Sequence, residues 1–99
     1  MNRKKLLEII SREIVNWDPI SLLAMGAPKN EYDVEVNKIL GRLQNKKNSH
    51  EISNVIYEVF LEMFGEDTLR PINDFTEKCD NVAKVIFLAM GSNSRGQVP

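Results

Sequence analysis

The sequence predicts an all-α protein: a compact bundle of four main helices plus one short helix, with no sheet. Three observations carry that expectation. Apolar residues recur at spacings of three and four along four separate segments, which puts them on one face of each helix. Short stretches holding Gly, Pro, Asn and Asp separate those segments, and such residues stop helices or turn chains. No segment shows the strict alternation of a half-buried strand. The 99 residues suit one domain with one core. Residues 1–90 are expected to form it, and residues 91–99 to be a flexible tail.

The first helix is expected over residues 3–16, with Leu6, Leu7, Ile10 and Ile14 as its stripe and Ile9 and Val15 widening it. It stops before Trp17-Asp18-Pro19. Asp18-Pro19 is itself a start signal, because Asp caps free backbone N–H groups and Pro is pre-shaped for a first helical position. A short helix through Ile20, Leu22 and Leu23 should follow and end at Gly26, with a break at Gly26-Ala27-Pro28. The next helix is expected from about Glu31 to Asn45, where Tyr32, Val36, Ile39, Leu40 and Leu43 keep the helical rhythm. The fourth spans Ser49 to Phe64, with Ile52, Val55, Ile56, Val59, Phe60, Met63 and Phe64 inward. Asn48 with Glu51, or Ser49 alone, caps it, and Gly65 stops it. Glu66 to Asn73 reads as a connection. The last helix runs from near Asp74 to Met90 on Phe75, Cys79, Val82, Ala83, Ile86, Phe87 and Met90, and Gly91 ends it.

Composition removes several chemistries. Thirteen basic and fourteen acidic residues give a net charge of −1, so no basic excess points to nucleic acid or an anionic membrane. Cys79 is the only cysteine and His50 the only histidine. That pair cannot supply the four N/S ligands of a structural zinc site, and no intramolecular disulfide forms. Cys79 falls on an apolar stripe and reads as an inert core thiol. Phosphate-binding glycine loops and nucleophile-elbow patterns are absent from the sequence. The basic start Arg3-Lys4-Lys5 is followed by an apolar run that Glu8, Ser11, Arg12 and Glu13 interrupt, so no signal peptide or membrane span is expected. The chain reads as cytoplasmic.

The charge is blocked along the chain. Residues 1–16 carry +2, 17–36 carry −3, 37–50 carry +4, 51–67 carry −5 and the remainder +1. Lys38, Arg42 and Lys46 recur every four residues, as do Glu58, Glu62 and Glu66. Like charges at that spacing repel. An antiparallel hairpin would set one stripe beside the other, which predicts an intramolecular ion-pair seam. A partner-facing acidic face is the competing reading.

Trp17-Asp18-Pro19-Ile20-Ser21-Leu22, then Gly26-Ala27-Pro28, then Glu31-Tyr32-Asp33 is the one signature-like stretch. It holds the single tryptophan and, with Glu35, four carboxylates. Those four acids, Asp18, Glu31, Asp33 and Glu35, are candidates for a cation or small-ligand site, and more weakly for hydrolytic acid–base work. The stronger reading is that Asp18, Glu31 and Asp33 are what helix starts call for. The W-D-P-I-x-L, G-A-P and E-Y-D pattern resembles the YugE-like family, a group of small bacterial proteins of unknown function. That resemblance covers most of the chain and implies an all-helical cytoplasmic domain of about this length, with no catalytic residue. A related W-D-P and D-E-Y-D pattern is loosely similar to small proteins of the toxin-immunity kind, which implies binding to one partner. The expected role is therefore a non-catalytic protein-interaction module without cofactor or metal. Its contact residues are expected to be Trp17, Asp18, Glu31, Tyr32 and Asp33. The partner is another protein or a second copy of the chain, as in a symmetric homodimer.

Overall fold

The first helix begins where an asparagine caps it. In the computed structural model, which describes residues 2–95 and side chains through residue 91, the Asn2 side chain accepts from the Lys5 backbone N–H at 2.7 Å. The helix, α1, runs Arg3–Trp17. Asp18 ends it by adopting a left-handed conformation, φ 52°, which L residues other than Gly, Asn and Asp rarely take. A 3-10 turn, Lys29–Tyr32, leads into α2, Asp33–Gly41. Then come α3, Ser49–Phe64, the short α4, Glu66–Leu69, and the long α5, Phe75–Arg95. No strand occurs among the described residues.

The expected short helix through residues 20–23 is a correction. The segment forms only successive turns. Its last turn closes with Gly26 N–H donating to Leu23 O at 3.0 Å and Ala27 N–H to Leu22 O at 3.0 Å, the paired bonds that terminate a helix at a left-handed glycine. Gly26 supplies that conformation at φ 101°. The stop was therefore legible, but one turn of chain is all that precedes it. The short helix of the fold is α4, inside the stretch expected as a plain connection.

Two other boundaries move. The helix expected to reach Asn45 stops at Gly41, a poor helix former, and Asn45 turns left-handed at φ 71°. Leu43 is still delivered to the core from the turn, at 3 % exposure. At the other end, Gly91 does not stop the last helix, which continues to Arg95. The remainder of the expected flexible tail, residues 96–99, lies outside the described residues. Ser49–Phe64 matches its expected bounds. Asn48 accepts from Glu51 N–H at 2.9 Å, and the Glu51 carboxylate accepts from Lys47 N–H at 2.5 Å.

One contiguous core joins the helices. It takes Ile10 and Ile14 from α1, and Val36, Ile39 and Leu40 from α2. It also takes Ile52, Ile56, Val59 and Phe60 from α3, and Cys79, Ala83 and Ile86 from α5. Phe60 is its aromatic centre, with Trp17, Tyr32, Phe64 and Phe75 all within 6.2 Å between ring centroids. Phe87 departs from its expected place: it is 37 % exposed, and Ile86 beside it is fully buried.

The ion-pair seam contracts to one contact. Arg42 donates to both carboxylate oxygens of Glu62, at 2.7 and 2.8 Å. Lys38 and Lys46 form no ion pair among the described residues. The early end of α2 takes Lys46 out of the helical row. Accordingly, Arg42→Glu should lower the melting temperature at low salt while Lys46→Glu leaves it unchanged. Equal shifts from the two variants would restore an extended seam.

Candidate functional site

The signature stretch folds around a single carboxylate. Asp18, at the end of α1, turns its side chain back into the loop that follows. Oδ1 accepts from the Leu23 N–H at 3.0 Å and Oδ2 from the Ala24 N–H at 3.0 Å. Oδ1 also accepts from the Tyr32 hydroxyl at 2.6 Å. That hydroxyl in turn accepts from the Ile20 N–H at 3.2 Å and, more weakly, from the Leu22 N–H at 3.5 Å. A phenol offers one donor and two acceptor positions, so the Tyr32 oxygen is saturated. Asp18 does cap backbone N–H groups, but those of residues five and six places ahead.

The electrostatics follow from these bonds. Desolvation works to raise the Asp18 pKa. The Tyr32 hydroxyl and the backbone N–H groups of Leu23, Ala24 and Leu22 outweigh it, and the carboxyl is held below its ordinary value of 3.8. Burial, and then the bond to Asp18, push the Tyr32 phenol well above its ordinary 10.0. The pair is therefore a carboxylate and a neutral phenol at neutral pH.

The five expected contact residues separate into two groups. Tyr32 has no exposed surface, and Asp18 is occupied inside the loop, so both build the surface from within. Trp17 is half-buried, its ring 5.2 Å from Phe75 and 6.0 Å from Phe60. Glu31 and Asp33 are exposed. Periodicity did not single out Met25, a large apolar residue of the loop that is 73 % exposed. Val34, at the start of α2, is 55 % exposed.

The acidic quartet does not converge. Among the described residues no three His, Cys, Asp or Glu side chains are grouped to hold a metal ion. Asp33 and Glu35, two apart on α2, face different ways. Glu35 faces inward at 4 % exposure, and its Oε1 has no hydrogen-bond partner. Desolvation dominates there. It raises the Glu35 pKa, helped by Glu31 and opposed by the Glu35 backbone N–H and by Lys38.

A second polar site lies between α3 and α5. Ser53, 5 % exposed, donates to Asp80 Oδ1 at 2.5 Å. The pair lines a depression of about 320 Å³ with His50, Asn54, Tyr57 and Thr76. Cys79 lines it too. Burial first, and then the neighbouring Asp80, push its thiol up to about 12, so it stays protonated and is no nucleophile. Sequence reading missed this site because its polar residues interrupt two apolar stripes 27 residues apart. No family model, curated protein or solved structure matches the chain.

Tyr32→Phe should cost about 1–3 kcal/mol in urea unfolding, because it strands the Ile20 and Leu22 N–H groups and removes a donor to Asp18. Folding lowers the Asp18 pKa, so its contribution is complete above the ordinary 3.8 and is lost as the pH falls through the folded value. Tyr32 contributes fully below 10.0 and is lost as the pH rises past it. Asp18→Asn should flatten the acid limb of the stability profile; an unchanged limb would contradict the knot. Glu35 acts with the opposite sign to Asp18: its raised pKa costs stability as the pH rises through the ordinary 4.5 toward the folded value. Glu35→Met should therefore raise the melting temperature at pH 7 and raise it less at pH 4.

Proposed function

We propose that the chain is a non-catalytic protein-interaction module of the cytoplasm that presents the loop between α1 and α2 to a protein partner. One observation carries this reading: the loop is tied from inside by Asp18 and Tyr32 while Met25 stands 73 % exposed on its outer side. A segment ordered before it binds avoids part of the ordering cost of association. Methionine is unbranched and adapts to an apolar pocket. Glu31 and Asp33 supply an acidic rim close by, and Val34 adds apolar area. We assign the chain to the YugE-like group on the same Trp17–Asp33 motif, an assignment that brings no activity with it. The partner is another protein or a second copy.

Capture from the native cell tests the surface directly. Wild type is compared with the triple variant Met25→Ser, Glu31→Lys, Asp33→Lys, whose fold is checked by circular dichroism. A partner retained by wild type should be lost by the variant. Sedimentation of both forms separates self-association from capture of another protein. Identical retained proteins and identical sedimentation would overturn the reading.

A further inference from the structure

Two depressions meet at Tyr57, on the face formed by α3 and the first half of α5. The smaller is the one that holds Ser53 and Asp80. The larger, about 460 Å³, has Leu69, Ile72 and Phe75 in its wall. Tyr57 and Thr76 line both. The Tyr57 ring is 38 % exposed. It is braced edge-on against buried Phe75, with ring centroids 5.7 Å apart.

Carboxylates surround this aromatic ridge. Asp80 stands in the smaller depression, and Glu66, Asp74 and Glu77 line the larger. Arg70, the cation in the larger one, is already committed to Glu66 at 3.1 Å and Asp67 at 3.5 Å. Asp74, Glu77 and Asp80 have no ion-pair partner among the described residues. Asp80 is also fixed in place. Ser53 holds its Oδ1 from below, which leaves Oδ2 to accept from whatever enters the depression.

We propose that this twin depression docks a basic peptide segment of another protein. One arginine or lysine head group is received by Asp80, with its stem laid across the Tyr57 ring. Charge complementarity selects the occupant, since unpaired carboxylates line both halves. The aromatic ridge selects within that class: cations, guanidinium above all, are attracted to aromatic faces. The long methylene stems of Lys and Arg also cover apolar walls such as Leu69 and Ile72 while the charge stays wet. This face does not include the α1–α2 loop, so the inference stands or falls apart from the reading of that loop.

The probe is an acetylated, amidated peptide of alternating arginine and alanine, titrated into the full chain and followed by amide chemical shifts. Saturable shifts are expected at Asn54, Tyr57, Thr76 and Asp80. Asp80→Asn keeps an acceptor for Ser53 and should weaken binding about tenfold. Tyr57→Ala should weaken it about threefold. The exposed remote variant Glu8→Gln removes one charge elsewhere and should change affinity by less than about twofold in ordinary salt. The proposal is overturned by absent shifts, by unchanged affinity in Asp80→Asn, or by an equal loss in Glu8→Gln. It is also overturned if agmatine, a lone guanidinium amine, binds as tightly as the peptide, because the site then takes small amines.

Discussion

The hydrogen bond from Tyr32 to Asp18 fixes how the end of α1 meets the start of α2. Asp18 sits where α1 ends, and Tyr32 where α2 is about to begin. Between them run thirteen residues with no helix until Lys29. Such a loop, left to its own bonds, would be entropically expensive to order. The carboxylate instead gathers two backbone N–H groups and one hydroxyl, and the hydroxyl gathers two more N–H groups. The buried polar atoms of the loop thereby satisfy one another, which a buried polar network must do to be tolerated. The left-handed backbone at Asp18 and Ser21, φ 52° and 60°, carries strain that this network offsets.

The same tyrosine links the polar knot to the apolar core. Its ring meets Phe60 edge-on at 6.2 Å. Phe60 meets Phe75 at 6.1 Å, and Phe75 braces Tyr57 at 5.7 Å. Trp17 closes the group by touching both Phe60 and Phe75. The aromatic rings thus form a continuous packed path from the base of the α1–α2 loop to the ridge between α3 and α5. Edge-to-face and offset pairs of this kind add to the burial of the rings themselves. Both surfaces therefore rest on rigid supports, whereas Glu35 is a local cost: an acid turned inward with one oxygen unpaired.

Where the sequence was legible, the governing signals were local. Ser49–Phe64 was readable because Asn48 and Gly65 bracket a broad apolar face. The core stripe Tyr32, Val36, Ile39, Leu40 and Leu43 was readable even though the helix beneath it is shorter than expected, since a turn can deliver Leu43 as well as a helix can. Where contacts are remote, the reading failed. Local rules make Asp18 the cap of a helix at Pro19. Its partners lie five, six and fourteen residues ahead, beyond any capping rule. Ser53 and Asp80 meet only because α3 packs on α5. Glu35 is different, because its burial was readable: it stands three residues after Tyr32 and four before Ile39, on the stripe itself. The usual preference of acids for a helix N-terminus hid that phase.

The blocked charge of the chain cancels only in part across the fold. The +4 block at residues 37–50 precedes the −5 block at 51–67, and a full hairpin would let them cancel. Gly41 ends α2 too soon for that. Among the described residues only Arg42 reaches across, to Glu62, and Arg70 takes Glu66 and Asp67 at the surface. The carboxylates past that point, on Asp74, Glu77 and Asp80, line the depressions at Tyr57 and form no ion pair among the described residues. Carboxylates at the start of α5 suit its dipole, and that alone accounts for Glu77. It does not account for Asp80, a turn deeper, where buried Ser53 holds one oxygen at the edge of the depression. That carboxylate, beside a braced aromatic ring, meets no cation in an ion pair among the described residues.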